Sequence, residues 1–416
     1  MAGNLPIIAR VVAKGQPLSL GIGVQVFQFQ YEDSEKEDDL FNVTFSDPFH
    51  TLVDSDQFQE GTEWTVQWGF AGKLHPPRKV IVKRPRFAYG QVEVQALDKG
   101  SALKLEEKWT TYKKTTARRI LEEIASKFGL TLDMDPLEMD IQFLATGGRT
   151  AFDTIKYLAS RTEDHVFKVI GDKLHFKKRN LNAPPVARFA YAPGRDSRLI
   201  SFDIQIKDQD NAKSSMQTTA VTVDPFTHKT KTFSADEGST PTENLGNVRV
   251  TRKYLTSFTD TIIKAVGASI LHKSIGDSTG KTLALPPKGD GELKSIASGH
   301  RHAALLDNVE ANFEISAAPE DPLYKSGDLI EVRGIGRKFS GMYRIVSIRH
   351  DLTDGYKYSI VGKRNATGAT GNEPVENVLN GPINIKSSFQ KLVDIAERTV
   401  VGSVSGLIYG QKGRVL

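Results

Sequence analysis

The stretch GDLIEVRGIGRKFSGMYRIVSIRHDLTDGYKYSIVGKR, residues 327–364, constrains the fold more than any other. Three apolar runs, Leu329–Val332, Met342–Ile348 and Tyr356–Val361, are separated by Gly-rich or Asp-Gly breaks. Each is short, rich in β-branched and aromatic residues, and alternating over part of its length, so each reads as a strand. Gly334, Gly336 and Gly341 give the turns their backbone freedom, and Asp354-Gly355 is a hairpin dipeptide. A three-stranded meander cannot bury two faces by itself. The chain must supply a partner sheet or close these strands into a barrel.

Residues 1–100 repeat the β signal. Ile7–Val12, Val24–Phe29, Leu40–Phe45, Glu63–Gly69, Val80–Val82 and Gln91–Leu97 form six short strands with turn residues between them. From 101 to 183 the period changes. Thr115 or Thr116 caps a helix bearing Ile120, Leu121, Ile124 and Phe128, with Gly129 as its stop. A second helix opens at Thr150, with Asp153 as a short-armed capping box and Phe152, Ile155, Leu158 and Ala159 on one face. A hairpin follows, Val166–Ile170 and Lys173–Phe176 around Gly171-Asp172.

Asn180–Pro185 is a linker by composition, and Leu199–Ile206 alternates Ile200, Phe202, Ile204 and Ile206 as a strand. Residues 208–299 are polar, with a strand pair around Val221 and Lys229–Phe233 and a helix-like run from Thr259 to Leu271. They read as an insertion, because β signal lies on both sides. Ala311–Ser316 and the meander then complete the second β unit, 184–207 with 300–365. Residues 366–416 hold a Gly/Thr linker, an amphipathic helix capped by Ser387 with Phe389, Leu392, Val393 and Ala396 inward, and a tail with Gly402, Gly406 and Gly410 four apart. That tail reads as a segment that docks into a partner, with Tyr409 within it.

Zero cysteines exclude disulfides and thiol chemistry, and no apolar run approaches the ~20 residues of a membrane span. The charge is uneven. Residues 32–63 carry eleven acids against one Lys, and residues 73–119 carry thirteen Lys or Arg against four acids. These are two solvated faces, or the two complementary surfaces of a head-to-tail ring, with Asp38 and Asp39 on one side and Arg78, Lys79, Lys83 and Arg84 on the other. Nucleic acid on the basic face is a third reading, but PPRKVIVKRPRF alternates like an edge strand guarded by Lys and Pro and lacks stacking aromatics.

Catalytic and cofactor motifs fail on inspection. GDSTGKT, residues 276–282, has three residues between its glycines where a phosphate loop needs four, and LALPPKGDG follows where a helix is required. His300 and His302 would share a strand face, but no third metal ligand is identifiable. Asp47, Asp54 and Asp56 sit in an acidic run, and GSVSG places Val404 where a nucleophilic serine would stand. The expectation is a non-enzymatic protein without cofactor or metal.

The order of features resembles the phage baseplate hub proteins of the late-control-D-like family, related to the hub half of type VI secretion spikes and of contractile injection systems. The resemblance rests on three segments. In the first unit, Asp38, Asp39, Phe41, Val43, Phe45 and Asp47 precede an Asp56-x-Phe58-x-x-Gly61 turn and a Trp68-Gly69 strand end. In the middle stands the run from Thr116 through Ile120, Leu121, Ile124 and Ala125 to Phe128-Gly129-Leu130. In the meander stand Phe339, Gly341, Tyr343 and His350. It implies a β-rich α+β fold with two tube-like antiparallel β-barrels, a small α/β domain between them and a polar insertion in the second. It further implies a homotrimeric ring adapting a sixfold tail tube to a threefold spike. The implied partners are the tail tube protein, a separate spike protein, the tape-measure protein and neighbouring baseplate proteins, with DNA only as transit cargo. The implied location is a virion or injection particle assembled in the bacterial cytoplasm. The competing expectations are a cell-wall-binding or cell-wall-degrading tail protein, and a basic nucleic-acid-binding protein.

Overall fold

The structure is a computed structural model that describes residues 6–18, 25–35, 37–105, 109–137, 139–162, 165–191, 198–206, 218–223, 229–235, 245, 248–249, 281–284, 290–306, 309–336 and 338–367. The first β unit comprises β1 (Ile7–Ala13), β2 (Gln16–Pro17), β3 (Gln25–Ser34), β4 (Leu40–Ser46), β5 (Glu63–Phe70), β6 (Lys73–Leu74), β7 (Arg78–Ala88) and β8 (Gln91–Leu97). Alternation in sequence becomes alternation in burial. Phe41, Val43 and Phe45 of β4 and Val92, Val94 and Ala96 of β8 point into the core, and their neighbours are half-exposed or exposed. The Trp68-Gly69 strand end has a steric cause: a Cβ on Gly69, at φ 140°, would lie 2.5 Å from the Lys73 carbonyl oxygen.

Between the β units lies an α/β module of β9 (Thr111–Thr116), α1 (Ala117–Lys127), β10 (Thr131–Met134), β11 (Asp140–Ala145), α2 (Ala151–Ser160), β12 (His165–Ile170) and β13 (Lys173–Lys178). Thr116 caps α1, its hydroxyl accepting from Arg119 N, and Gly129 ends the turn at φ 64°. Thr150 caps α2 by accepting from Asp153 N at 3.1 Å. The expected capping box is modified: the Asp153 carboxylate accepts from the Thr150 hydroxyl at 2.8 Å, which a short side chain reaches more easily than the backbone N–H. Ile120, Leu121 and Ile124 of α1 and Ile155 and Leu158 of α2 close a core separate from that of the large sheet.

The chain continues through β14 (Ala187–Ala190), β15 (Leu199–Ile206), β16 (Thr218–Val223), β17 (Thr230–Ala235), β18 (Val248–Arg249), β19 (Lys281–Ala284), α3 (Asp290–Leu306), β20 (Val309–Ser316), β21 (Leu329–Arg333), β22 (Gly341–Asp351), β23 (Lys357–Arg364) and β24 (Ala366–Thr367). β16, β17 and β19 form their own small sheet, against which α3 packs. The expected 218–233 strand pair is there, and β21–β23 form the expected meander.

β18 pairs with β24 alone, and β1–β8, β14, β15 and β20–β23 share one fourteen-stranded sheet. Its two halves have the same strand order. Numbering six strands of each half in chain order, the first half runs β1-β5-β7-β8-β4-β3 and the second β14-β21-β22-β23-β20-β15. Both are therefore first, fourth, fifth, sixth, third, second. Every pairing in the two halves is antiparallel except β14 with β21, which is parallel. The halves join where β3 pairs with β22, from Ser347 opposite Ser34 to Asp351 opposite Gln30. One core runs across the joint. Among the described residues the main path ends on β15 at one side and on β1 with β2 at the other, so neither half closes on itself.

Three expectations need correction or fall elsewhere. His300 and His302 lie on α3, not on a strand, and positions two apart on a helix fall roughly 200° apart around the axis. Ile200, Phe202 and Ile206 are 45%, 40% and 42% exposed, because among the described residues β15 has a strand neighbour only in β20 and its apolar face is covered only in part, by Tyr191 against Phe202. The helix-like run 259–271 and the whole of 368–416 lie outside the described residues.

Candidate assembly surfaces and the buried charge junction

The acidic run converges inward where the two halves of the sheet meet the α/β module. Lys168 of β12 enters this junction with 15% of its side chain exposed, bonding the Asp33 carboxylate and reaching Asp39 Oδ1 at 2.9 Å and Ser326 Oγ at 3.1 Å. Ser326 N donates to Asp33 at 3.0 Å, and Arg78 lies 3.7 Å from its other oxygen. Burial alone would raise the Asp33 pKa, but Lys168, Ser326 and Arg78 outweigh it and hold the carboxyl well below its usual range. Glu35, on the loop after β3, pairs with Arg179 at 2.8 Å and with the buried Arg344 of β22. One acidic segment thus ties three parts of the chain together.

Asp39 accepts from the Tyr31 hydroxyl at 2.6 Å, and its own N–H donates to Asp98 at 3.3 Å. Asp98 sits between Asp39 and Asp38. Burial, then the neighbouring charges of Asp39 and Asp38, push its carboxyl up to about 8, so it is mostly protonated at neutral pH. Beside this group His75 stacks on Trp68 at 4.8 Å, and His350 lies 4.6 Å from His75. The Tyr356 hydroxyl meets His350 Nδ1 at 2.9 Å. Burial, then Arg78, push His75 down to about 4; burial with His75 and Arg78 holds His350 well below its ordinary value. Both imidazoles are neutral, as a polar network wedged between aromatic rings requires.

The sequence-based partner residues divide accordingly. Asp39 is 2% exposed and Asp38 is held by Lys104 at 3.0 Å, so neither offers a free acidic surface. The acids that looked solvated in sequence are instead paired with cations brought in from distant parts of the same chain. Arg78 faces Asp33, and Lys79 bridges Glu63 at 3.9 Å and Asp172 at 3.3 Å. Lys83 and Arg84 stand on the outer half of β7, Lys83 half-exposed and Arg84 exposed. Phe389, Leu392, Val393 and Tyr409 lie outside the described residues. Sequence reasoning missed Lys168, Arg344 and the His75–His350 pair. Only tertiary packing brings them together.

Exposed apolar residues stand at Leu105 and Trp109, 75% and 83% exposed, and mark two places on the large sheet. One is the β15 edge. The other is the turn end of the first unit, where Phe27, Phe49 and Tyr89 are 63%, 69% and 95% exposed. The glycosidase reading of Asp47 fails: the carboxylate accepts from Thr51 N and Leu52 N, both at 2.9 Å, and those bonds outweigh burial and lower its pKa. Lys281-Thr282 opens a strand, which is inconsistent with a phosphate-loop helix. Among the described residues no cluster of three His, Cys, Asp or Glu is placed to hold a metal. No helix among them is long and apolar enough to cross a membrane.

No curated protein matches the chain. Among solved structures its fold is similar to a tail protein from Neisseria meningitidis MC58, at 12% identity and TM-score 0.59, over 86% of this chain and 96% of that one. It is also similar to the 43 kDa tail protein of prophage MuSo2 from Shewanella oneidensis, at 12% identity and TM-score 0.58, over 87% and 100%. A third is the prophage tail protein gp18 from Listeria monocytogenes EGD-e, at 12% identity and TM-score 0.50, over 94% and 99%. At that identity the likeness is one of fold: this chain has a β-rich fold shared with phage tail proteins. The model of the family described as the Alg8 N-terminal domain matches residues 44–354, and the chain belongs to that family.

Proposed function

We propose that this member of the Alg8 N-terminal domain family is a structural, non-enzymatic baseplate hub of a contractile phage tail or related injection particle. Three copies form a ring that adapts a sixfold tail tube to a threefold spike. The observation that carries the reading is the strand order occurring twice in one chain. Three chains with two like units each present six near-equivalent surfaces while keeping threefold symmetry. The fold shared with tail proteins points the same way.

In this reading residues 1–100, and 184–207 with 300–365, are the two tube-like units, whose barrels close only in the assembly. The α/β module braces them, 208–299 is an insertion, and 366–416 reaches a separate spike protein or the tape-measure end. The tail tube and neighbouring baseplate proteins are the other partners, and DNA passes only as cargo. The particle is the site of function, and assembly takes place in the bacterial cytoplasm.

The test is Ile200→Lys with Ile206→Lys, which charges an exposed edge at two residues outside the core cluster. The account predicts an unchanged melting temperature and loss of ring particles in negative-stain images. Rings that persist in the double variant contradict it.

A further inference from the structure

Two strands of one half, β7 and β3, correspond position by position to β22 and β15 of the other. β22 and β7 are both eleven residues long. β22 pairs with β21 through Gly341–Arg344, and β7 pairs with β5 through the first four residues Arg78–Ile81. Each then breaks register with its hairpin partner at the sixth residue, Val346 between Ile345 and Ser347, and Lys83 between Val82 and Arg84. β3 and β15 correspond as well. Each carries a bulge close to its start, at Phe27, the third residue of β3, and at Ile200, the second residue of β15. Aligned on these bulges, Gln30 answers to Asp203, Tyr31 to Ile204, Glu32 to Gln205 and Asp33 to Ile206.

In the internal joint the second half of β22 is filled by β3. The equivalent stretch of β7, Arg84–Ala88, pairs only with β8, and its other edge is open among the described residues. The equivalent of β3 is β15, whose outer edge is also open among the described residues. One chain therefore has both halves of a second joint, and its own β15 lies at the far end of the sheet from β7. An exposed edge with apolar side chains is a template for another strand.

We propose that β15 of one copy adds antiparallel to Arg84–Ala88 of the next, in the register of the internal β3–β22 joint. This rests on the ring assembly proposed above. Arg86 then faces Gln205, Phe87 faces Ile204 and Ala88 faces Asp203. In the internal joint the same positions are Arg349 with Glu32, His350 with Tyr31 and Asp351 with Gln30. The contact covers Phe87 and Ile206, 40% and 42% exposed in the single chain, and sets Arg86 near Asp203 across the joint. Pro85 stands at the Ile348 position and has no N–H, so the new ladder has one donor fewer than the internal one. Tyr89 keeps the donor equivalent to Leu352, whose N–H donates to Phe29 O at 3.0 Å.

The chain has no cysteine, so an engineered pair reports without background. Ala88 and Asp203 correspond to the pair next to the Leu352–Phe29 bond, a non-hydrogen-bonded position where opposed Cα atoms lie ~4.5 Å apart and a disulfide fits. Ala88→Cys with Asp203→Cys is compared with Ala88→Cys with Gln205→Cys, two residues out of register. Native mass is recorded first, then mild oxidation and a non-reducing gel. The expected result is a ring that becomes a covalent trimer in the first variant and at least tenfold less so in the second. Rings that do not cross-link, or that cross-link equally in both, overturn the joint and leave the ring reading standing. Absence of any assembly in the wild type and both variants overturns both.

Discussion

Asp98 is a carboxylic acid that the fold keeps protonated, and removing its titration should stabilise the protein in alkaline rather than acidic solution. Its pKa is pushed from 3.8 to about 8 by burial and by Asp39 and Asp38. The folded state therefore holds a proton that the unfolded state releases. The favourable part of this contribution is complete below pH ~4 and is lost as pH rises toward ~8. At pH 7 the loss is about 1.36 × (7 − 3.8), or ~4 kcal/mol, less whatever Asp39 and Asp98 share between them. Asp98→Asn keeps an oxygen for the Asp39 N–H and adds donors beside Asp98 Oδ1, which has no hydrogen-bond partner, with no proton to lose. Urea unfolding at pH 5 and pH 8 measures the effect. The variant should exceed the wild type by about 2–4 kcal/mol at pH 8, and by clearly less at pH 5. A variant no more stable than wild type at pH 8, or a difference independent of pH, refutes the reasoning.

Two other perturbations of the junction have opposite signatures. His75 is depressed from 6.5 to about 4, so its folded form resists a proton that the unfolded chain accepts. Its contribution is intact above pH ~6.5 and falls by about 3 kcal/mol on acidification to pH ~4, and His75→Phe, which keeps a ring on Trp68, should flatten that part of the pH–stability curve. Lys168→Met leaves Asp33 and Asp39 buried without their shared cation. It should cost about 3–5 kcal/mol at pH 7 by urea denaturation.

Much of the fold was legible in the sequence because the relevant signals are local. Alternation marked β4, β8 and β20, and Thr116, Thr150 and Gly129 marked helix ends, since each depends on residues a few positions apart. The duplicated strand order was not legible. β7 and β22 coincide in length, pairing and bulge, yet RKVIVKRPRFA and GMYRIVSIRHD share almost no residues, because any side chains of suitable size and polarity fill a strand position. The acidic run was read as a surface for the same reason: Asp33 and Asp39 meet Lys168 only after more than a hundred intervening residues have folded. The exposed face of β15 looked like a core face in sequence, because alternation does not say whether a neighbouring strand or sheet is present.

Native mass spectrometry of the purified chain, with negative-stain imaging alone and after co-expression with its spike candidate, tests the central claim most directly. Three copies of the 45.9 kDa chain give about 138 kDa, and the account predicts that mass together with rings around a central hole. A 45.9 kDa monomer in both samples, with no ring in either, contradicts it.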